Sequence, residues 1–366
     1  MYRIAIVAGG SGGHIFPGIA VAQSLEVCAK IEKIIFVGRK GGLEEEIVSH
    51  YGFLFYNVKA GGLVGKNFFA RLKGSWEILI GLKQALKLLR QEGIHLVLGT
   101  GSYVSVPVVM AARRLHIPIV LQEQNAVPGK ANRILSRWAE KICVTYPSSI
   151  GYFPMGKCLL TGNPVRKEIL NLKKKKIEDG TFRILILGGS QGARAINKAV
   201  CEAWPYLKNY SYKLKFLHQT GKKDFSKIKG IYEKEKIPGE VIPFIKDMSS
   251  AYAQVDLVVG RAGATTLAEI AILGLPSILI PYPWATGHQL YNAKLIEKTG
   301  AGICIPQEEL TGKKLADILV NLVKDQNRLG LMINASRSLG KPEAADLIAN
   351  LCIQILEEKS YALAVA

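Results

Sequence analysis

Apolar residues occur along this chain in short blocks separated by longer amphipathic stretches. In the first half the blocks fall at 3–8, 33–37, 53–58, 95–98, 118–121 and 141–144 and are rich in β-favouring residues. Between them, segments such as 16–28, 67–91 and 103–115 carry apolar residues at helical spacing. Blocks too short for helices and apolar on both faces predict strands of a parallel sheet covered by helices on each side. The pattern starts again after residue 180, with strands predicted near 182–187, 213–218, 240–243, 256–259, 277–280 and 301–305. Three helical segments, near 309–324, 327–338 and 343–358, close the chain. The predicted class is α/β, in two halves of the same kind.

The halves meet where the pattern breaks, between Asn163-Pro164 and Gly180. Pro164 blocks helix continuation, and Lys173-Lys174-Lys175-Lys176 is a solvated charge run that reads as an exposed linker or a membrane contact. The predicted domains are 1–163, completed by the C-terminal helix 343–366, and 164–342.

A chain of 366 residues has room for two cores. Its net charge of +19 is shared by both halves. Such a field draws nucleic acid, anionic lipid or phosphorylated ligands without choosing among them. The sequence carries no zinc-finger spacing, RNP aromatic motif or basic leucine zipper, so nucleic acid is not an expected partner. Six scattered cysteines with no C-x-x-C pair read as thiols in a reducing compartment, not as a disulfide framework or zinc site. The chain enters its first strand by residue 3, so no signal peptide is expected. No run approaches the ~18 apolar residues of a bilayer span.

Glycine is concentrated where strands run into helices. Gly9-Gly10-Ser11-Gly12-Gly13-His14 follows the first strand, and Gly188-Gly189-Ser190-Gln191-Gly192-Ala193 follows the strand at 182–187. Backbone N–H groups at such turns suit phosphate oxygens. Neither turn has the Gly-Lys-Ser/Thr of a Walker loop or G-x-G-x-x-G spacing. Gly99-Thr100-Gly101-Ser102-Tyr103 follows the strand at 95–98 and shares the carboxyl edge of the sheet, where open α/β folds bind ligands. His14 sits where a helix begins, whose positive end favours the neutral imidazole a general base needs. A capping or packing role for His14 is equally open.

Arg261-Ala-Gly263-Ala264-Thr265-Thr266-Leu267-Ala268-Glu269 follows the strand near 256–259. Its helix start suits a diphosphate, and Glu269 either accepts from two ribose hydroxyls or is a solvated helix glutamate. Gln122-Glu123-Gln124-Asn125 and His288-Gln289 offer amides at sheet edges, suited to sugar hydroxyls or merely exposed in loops. Segment 67–91 has a wide apolar face and a cationic one, fitting an interfacial helix on anionic lipid or an ordinary covering helix.

Taken in order, the 9–18 glycine motif, Glu123-Gln124-Asn125, Gly162-Asn163-Pro164-Val165-Arg166, the 188–193 turn and the 261–269 segment resemble the MurG family of peptidoglycan N-acetylglucosaminyltransferases. The resemblance spans essentially the whole chain. It implies a GT-B fold, two Rossmann-like domains with parallel sheets facing a central cleft. It implies inverting transfer of GlcNAc from UDP-GlcNAc to the C4 hydroxyl of the muramyl sugar of lipid I, giving lipid II, without cofactor or obligatory metal. The place implied is the cytoplasmic face of the bacterial inner membrane, peripheral on its anionic surface, with other cell-wall synthesis proteins as partners and a part in cell shape and division.

Carried over by motif, the catalytic candidates are His14 and Glu123. Donor contacts fall to Ser11, Gly12, Gly13, Asn125, Arg166, Ser190, Ile245, Ala264, Thr265, Thr266, Leu267, Ala268, Glu269, His288 and Gln289. Acceptor contacts fall to Gly9, Gly10, Gly12, Gly13, Gly101, Ser102 and Tyr103. The chain departs from the family pattern twice: His288-Gln289 stands where Gln-Gln is common, and Gln122 where His is common. A galactolipid synthase or a UDP-sugar epimerase would share the fold and part of the 261–269 pattern, and a nucleotide-sugar sensor could dispense with His14.

Overall fold

The computed structural model describes residues 1–61, 68–173, 179–189, 192–283 and 287–365; of 68–73 and 363–365 the backbone alone is described. The chain forms two compact units, Met1–Lys167 with Lys341–Ala366, and Glu168–Gly340.

The first unit is built on a seven-stranded sheet: β1 (Tyr2–Val7), β2 (Ile31–Gly38), β3 (Leu54–Asn57), β4 (Leu96–Gly99), β5 (Ile119–Glu123), β6 (Lys141–Val144) and β7 (Cys158–Leu160). Their spatial order is β3-β2-β1-β4-β5-β6-β7, with every pairing parallel. Central strands are buried on both faces; β4 has no exposed residue. This is why they read as unbroken apolar blocks. One face packs against the helices Phe68–Gln91 and Ser105–Arg114 through Val97, Leu121, Ala85, Leu89, Val108 and Ala112. The other face packs against the helix Gly12–Leu25 and, through Ile348, Cys352 and Ile355, against the C-terminal helix Ala344–Val365. The last helix therefore completes the core of the first unit. β7 was not expected from the sequence, because it is a short edge strand with Leu159 and Leu160 half exposed.

The second unit repeats the plan with β8 (Phe182–Leu187), β9 (Leu214–Gln219), β10 (Gly239–Ile242), β11 (Leu257–Gly260), β12 (Ser277–Leu279) and β13 (Gly302–Cys304). Their order is β10-β9-β8-β11-β12-β13, again parallel throughout. Both sheets thus reverse direction beside their first strand, the Rossmann arrangement. The reversal lies between β1 and β4 in one unit and between β8 and β11 in the other. Ligands of such sheets bind outside the carboxyl ends of the strands at this point. The 9–13 and 99–103 turns flank one switch point, and the 188–192 turn and residues 261–263 flank the other.

Candidate functional site

At the first switch point the turn after β1 is opened by Gly10, whose φ of +88° an L side chain rarely adopts. Ser11 follows as N-cap with extended backbone, and its hydroxyl makes no cap bond to the helix Gly12–Leu25. His14, one turn in, is half-buried and reaches across to the turn after β4. Its Nδ1 lies 2.8 Å from the Thr100 carbonyl oxygen. A carbonyl can only accept, so Nδ1 carries the proton and donates. The lone pair of the neutral ring is then on Nε2, which makes no hydrogen bond among the described residues. The Thr100 hydroxyl donates to the His14 carbonyl oxygen at 2.8 Å, so backbone and ring are held by one residue.

The turn itself is tight. Gly101 has φ +96°, and a Cβ there would sit 2.9 Å from His14 Cε1. Ser102 follows with φ +77°, a left-handed conformation that costs a non-glycine residue ~1–3 kcal/mol and marks functional turns. Its hydroxyl is buried without a hydrogen-bond partner among the described residues.

Glu123 ends β5 with 1% of its surface exposed. Oε1 accepts from the Asn125 backbone N–H (3.0 Å) and Asn125 Nδ2 (3.1 Å). Oε2 accepts from the Gly129 N–H (3.1 Å) and Asn132 Nδ2 (2.9 Å). Four donors converge on one carboxylate. On the neighbouring positions Gln122 and Gln124 are equally buried, with Asn163 beside Gln122. Arg166 is also buried in this unit; its guanidinium stacks 3.9 Å from the centre of the Phe16 ring and donates to the Tyr51 hydroxyl.

At the second switch point the helix Ala264–Leu273 starts at Gly263, an N-cap that brings no side chain to its N–H groups. Ala264, Thr265 and Leu267 are buried, while Thr266 and Ala268 are part-exposed. Glu269 is buried, and Oε2 accepts from the Tyr252 hydroxyl at 3.0 Å. Arg261 donates to the Ile280 and Pro281 carbonyls and to Gln307 Oε1, and lies over the Tyr282 ring. Burial pushes its pKa below the ordinary arginine value, with Tyr282 opposing. Gln289 Oε1 accepts from the Tyr282 N–H at 3.0 Å, closing the same loop. His288 begins the helix His288–Lys298, and its Nδ1 has no hydrogen-bond partner among the described residues. Ile245 is buried after β10. Ser190 lies outside the described residues.

Residues 4–144 match the N-terminal domain of glycosyltransferase family 28 and residues 183–348 its C-terminal domain. A Geobacter sulfurreducens protein named UDP-N-acetylglucosamine–N-acetylmuramyl-(pentapeptide) pyrophosphoryl-undecaprenol N-acetylglucosamine transferase is 41% identical over 95% of this chain and 97% of its own.

The chain belongs to glycosyltransferase family 28.

A Myxococcus xanthus protein of the same name is 39% identical over 97% of this chain and 94% of its own. The crystal structure of Acinetobacter baumannii MurG, at 29% identity, covers 97% of this chain and 100% of that one with a TM-score of 0.77. The two parallel sheets of this family 28 glycosyltransferase are the expected pair of Rossmann-like domains. In the first unit the structure brings together His14 and Gly101, and beside them gathers Asn125 around Glu123. In the second it gathers Glu269 with Tyr252, and Gln289 with the Arg261 loop. Tyr252 was missed from the sequence, and Thr100 was read only as part of the 99–103 turn. Tyr252 stands 17 positions before Glu269 on another helix, with no periodic relation to it. Gln122 and Gln124, expected to meet sugar hydroxyls or be exposed in loops, are instead buried and bonded to each other and to the Thr100 carbonyl oxygen.

Proposed function

We propose that this enzyme transfers GlcNAc from UDP-GlcNAc to the C4 hydroxyl of the MurNAc residue in undecaprenyl-pyrophosphoryl-MurNAc-pentapeptide, with inversion. The full-length kinship with transferases of that name supports the substrates. His14, with Nδ1 tied to a carbonyl and Nε2 unbonded, carries the mechanism. Nε2 takes the proton of the C4 hydroxyl as its oxygen attacks C1 of GlcNAc from the face opposite UDP. The C1–O bond to the diphosphate breaks, UDP leaves with the bonding pair, and the β-glycosidic bond forms. The imidazolium then returns its proton to solvent.

In this reading the 9–13 turn, with Gly101, Ser102 and Tyr103, receives the acceptor, its N–H groups facing the pyrophosphate. The start of the helix Ala264–Leu273 receives the donor diphosphate, and Glu269, fixed by Tyr252, accepts from the ribose hydroxyls. Asn125, Arg166, Ser190, Ile245, His288 and Gln289 complete the donor contacts. Glu123 is an anchor of the 123–132 loop and not the base, because its oxygens already accept four N–H bonds.

The enzyme works at the inner face of the cytoplasmic membrane as a peripheral protein. Among the described residues no helix is long and apolar enough to cross a membrane. On the helix Phe68–Gln91, Trp76 and Leu79 are exposed on the same side as Lys83, Lys87 and Arg90. Apolar contact beside cations suits an anionic bilayer surface. The decisive experiment is a transfer assay with UDP-GlcNAc and a lipid I analogue, UDP-galactose as competitor, with and without EDTA. Transfer from UDP-GlcNAc alone, at an undiminished rate in EDTA, is expected; galactosyl transfer or no transfer would overturn the reading.

A further inference from the structure

Gln122, Gln124 and Asn163 are each at least 98% buried, yet all three are amides. They form one directed chain. Gln122 Nε2 donates to Asn163 Oδ1 at 3.0 Å, leaving Gln122 Oε1 to accept from Gln124 Nε2. The second proton of Gln124 Nε2 goes to the Thr100 carbonyl oxygen at 2.5 Å. That oxygen is the one to which His14 Nδ1 donates. Its two lone pairs are therefore taken by Gln124 and His14.

The peptide that carries this oxygen joins Thr100 to Gly101. Glycine accepts φ of either sign, so this is the peptide of the turn most free to turn over. Turned over, it would present an N–H to the imidazole in place of a carbonyl. Nδ1 would then have to accept, the proton would move to Nε2, and the lone pair used for proton abstraction would be lost. A wrong tautomer is among the costliest faults at a histidine base.

We propose that the Asn163–Gln122–Gln124 chain is a positioning device. It locks the Thr100–Gly101 peptide carbonyl-inward and so keeps the His14 lone pair on Nε2. The inference rests on His14 as the base for its catalytic meaning, though not for its structural content. Three residues from separate loops and strands, 41 positions apart at the extremes, thus act on one imidazole. None of them is a catalytic residue.

The test is the tautomer of His14, read by ¹⁵N-histidine NMR on the full chain and assigned by loss of the signal in His14→Gln. Wild type shows the Nδ1–H form. Gln124→Leu and Gln122→Leu shift His14 toward the Nε2–H form and lower kcat about 10²-fold, the scale of a misplaced catalytic group, with UDP-GlcNAc KM unchanged. Gln122→His restores both, because a neutral imidazole can accept from Gln124 through one nitrogen and donate to Asn163 through the other. Far-UV circular dichroism and the melting temperature report folding of each variant. If Gln124→Leu keeps the Nδ1–H form, or if kcat falls with the tautomer unchanged, the positioning role is overturned. Shifted tautomers together with normal turnover by His14→Ala would leave the device standing and remove only the base assignment.

Discussion

Two histidines, one in each unit, are held in opposite ways. His218 lies in β9 with no exposed surface. Asn197 spends its amide protons on the Thr220 carbonyl and Asp224, so its Oδ1 accepts from His218 Nε2–H. His218 Nδ1 must then accept from the Tyr232 hydroxyl at 3.0 Å. Both ring nitrogens are consumed, and burial pushes the pKa down to about 3. His14 spends one nitrogen on a carbonyl, and the other makes no hydrogen bond among the described residues. A fully satisfied ring in a dry core stiffens the fold. A ring tied at one nitrogen is oriented but still available to a proton.

The largest expected effect tests His14, the proposed base. His14→Ala should lower kcat about 10²–10⁴-fold, the usual contribution of a general base. His218→Gln should leave kcat of the folded enzyme unchanged. Steady-state rates at saturating substrates decide it, and wild-type turnover by His14→Ala would erase the distinction.

The buried carboxylates of Glu123 and Glu269 extend the comparison to ligand binding. Glu269→Ala should weaken UDP-GlcNAc binding by ~1.5–3 kcal/mol, the range for hydrogen bonds to a charged group, with a matching penalty for a 2′-deoxy donor. Glu123→Ala should instead lower the melting temperature and change UDP affinity less, since its partners are the Asn125 and Gly129 N–H groups and the Asn125 and Asn132 side-chain amides. Calorimetry with UDP separates the two; unchanged affinity in a folded Glu269→Ala protein would take that residue out of the site.

His218 also predicts an acid sensitivity. The folded pKa lies below the unfolded value of about 6.5, so the unfolded chain binds more protons and stability rises with pH. The contribution is complete above pH 6.5 and is lost as pH falls toward about 3. Between pH 7 and pH 5 the loss is about 2 kcal/mol. Urea unfolding of wild type and His218→Gln at the two pH values measures it; equal slopes would mean His218 does not titrate as described.

The smallest effect per residue concerns the surface of the first unit. Arg137, over the Trp138 ring, and exposed Lys141 accompany the cations of the helix Phe68–Gln91. Each basic residue near an anionic bilayer contributes ~1 kcal/mol, so vesicle binding should fade with salt. Lys83→Glu with Trp76→Ser should reduce sedimentation with anionic vesicles and leave UDP-GlcNAc affinity intact. Salt-independent binding to neutral vesicles would assign the patch another role.

Local pattern alone determined every strand but β7, and their parallel character, because a strand buried on both faces must be apolar throughout and its end must be marked by a turn residue. It also marked the turns at 9–13 and 99–103 and put His14 at a helix start. It placed Glu123 on a strand end but did not tell a base from an anchor, since that depends on four donors supplied by Asn125, Gly129 and Asn132. Tertiary structure decided which strands are neighbours and thereby which turns share a switch point. It also paired residues far apart in the chain: His14 with Thr100, 86 positions on, Arg261 with Gln307, and Glu269 with Tyr252. The physical reason is that periodicity records only whether a side chain faces core or solvent. Which donor meets which acceptor is fixed by the order of strands in the sheet, and no local pattern carries that order.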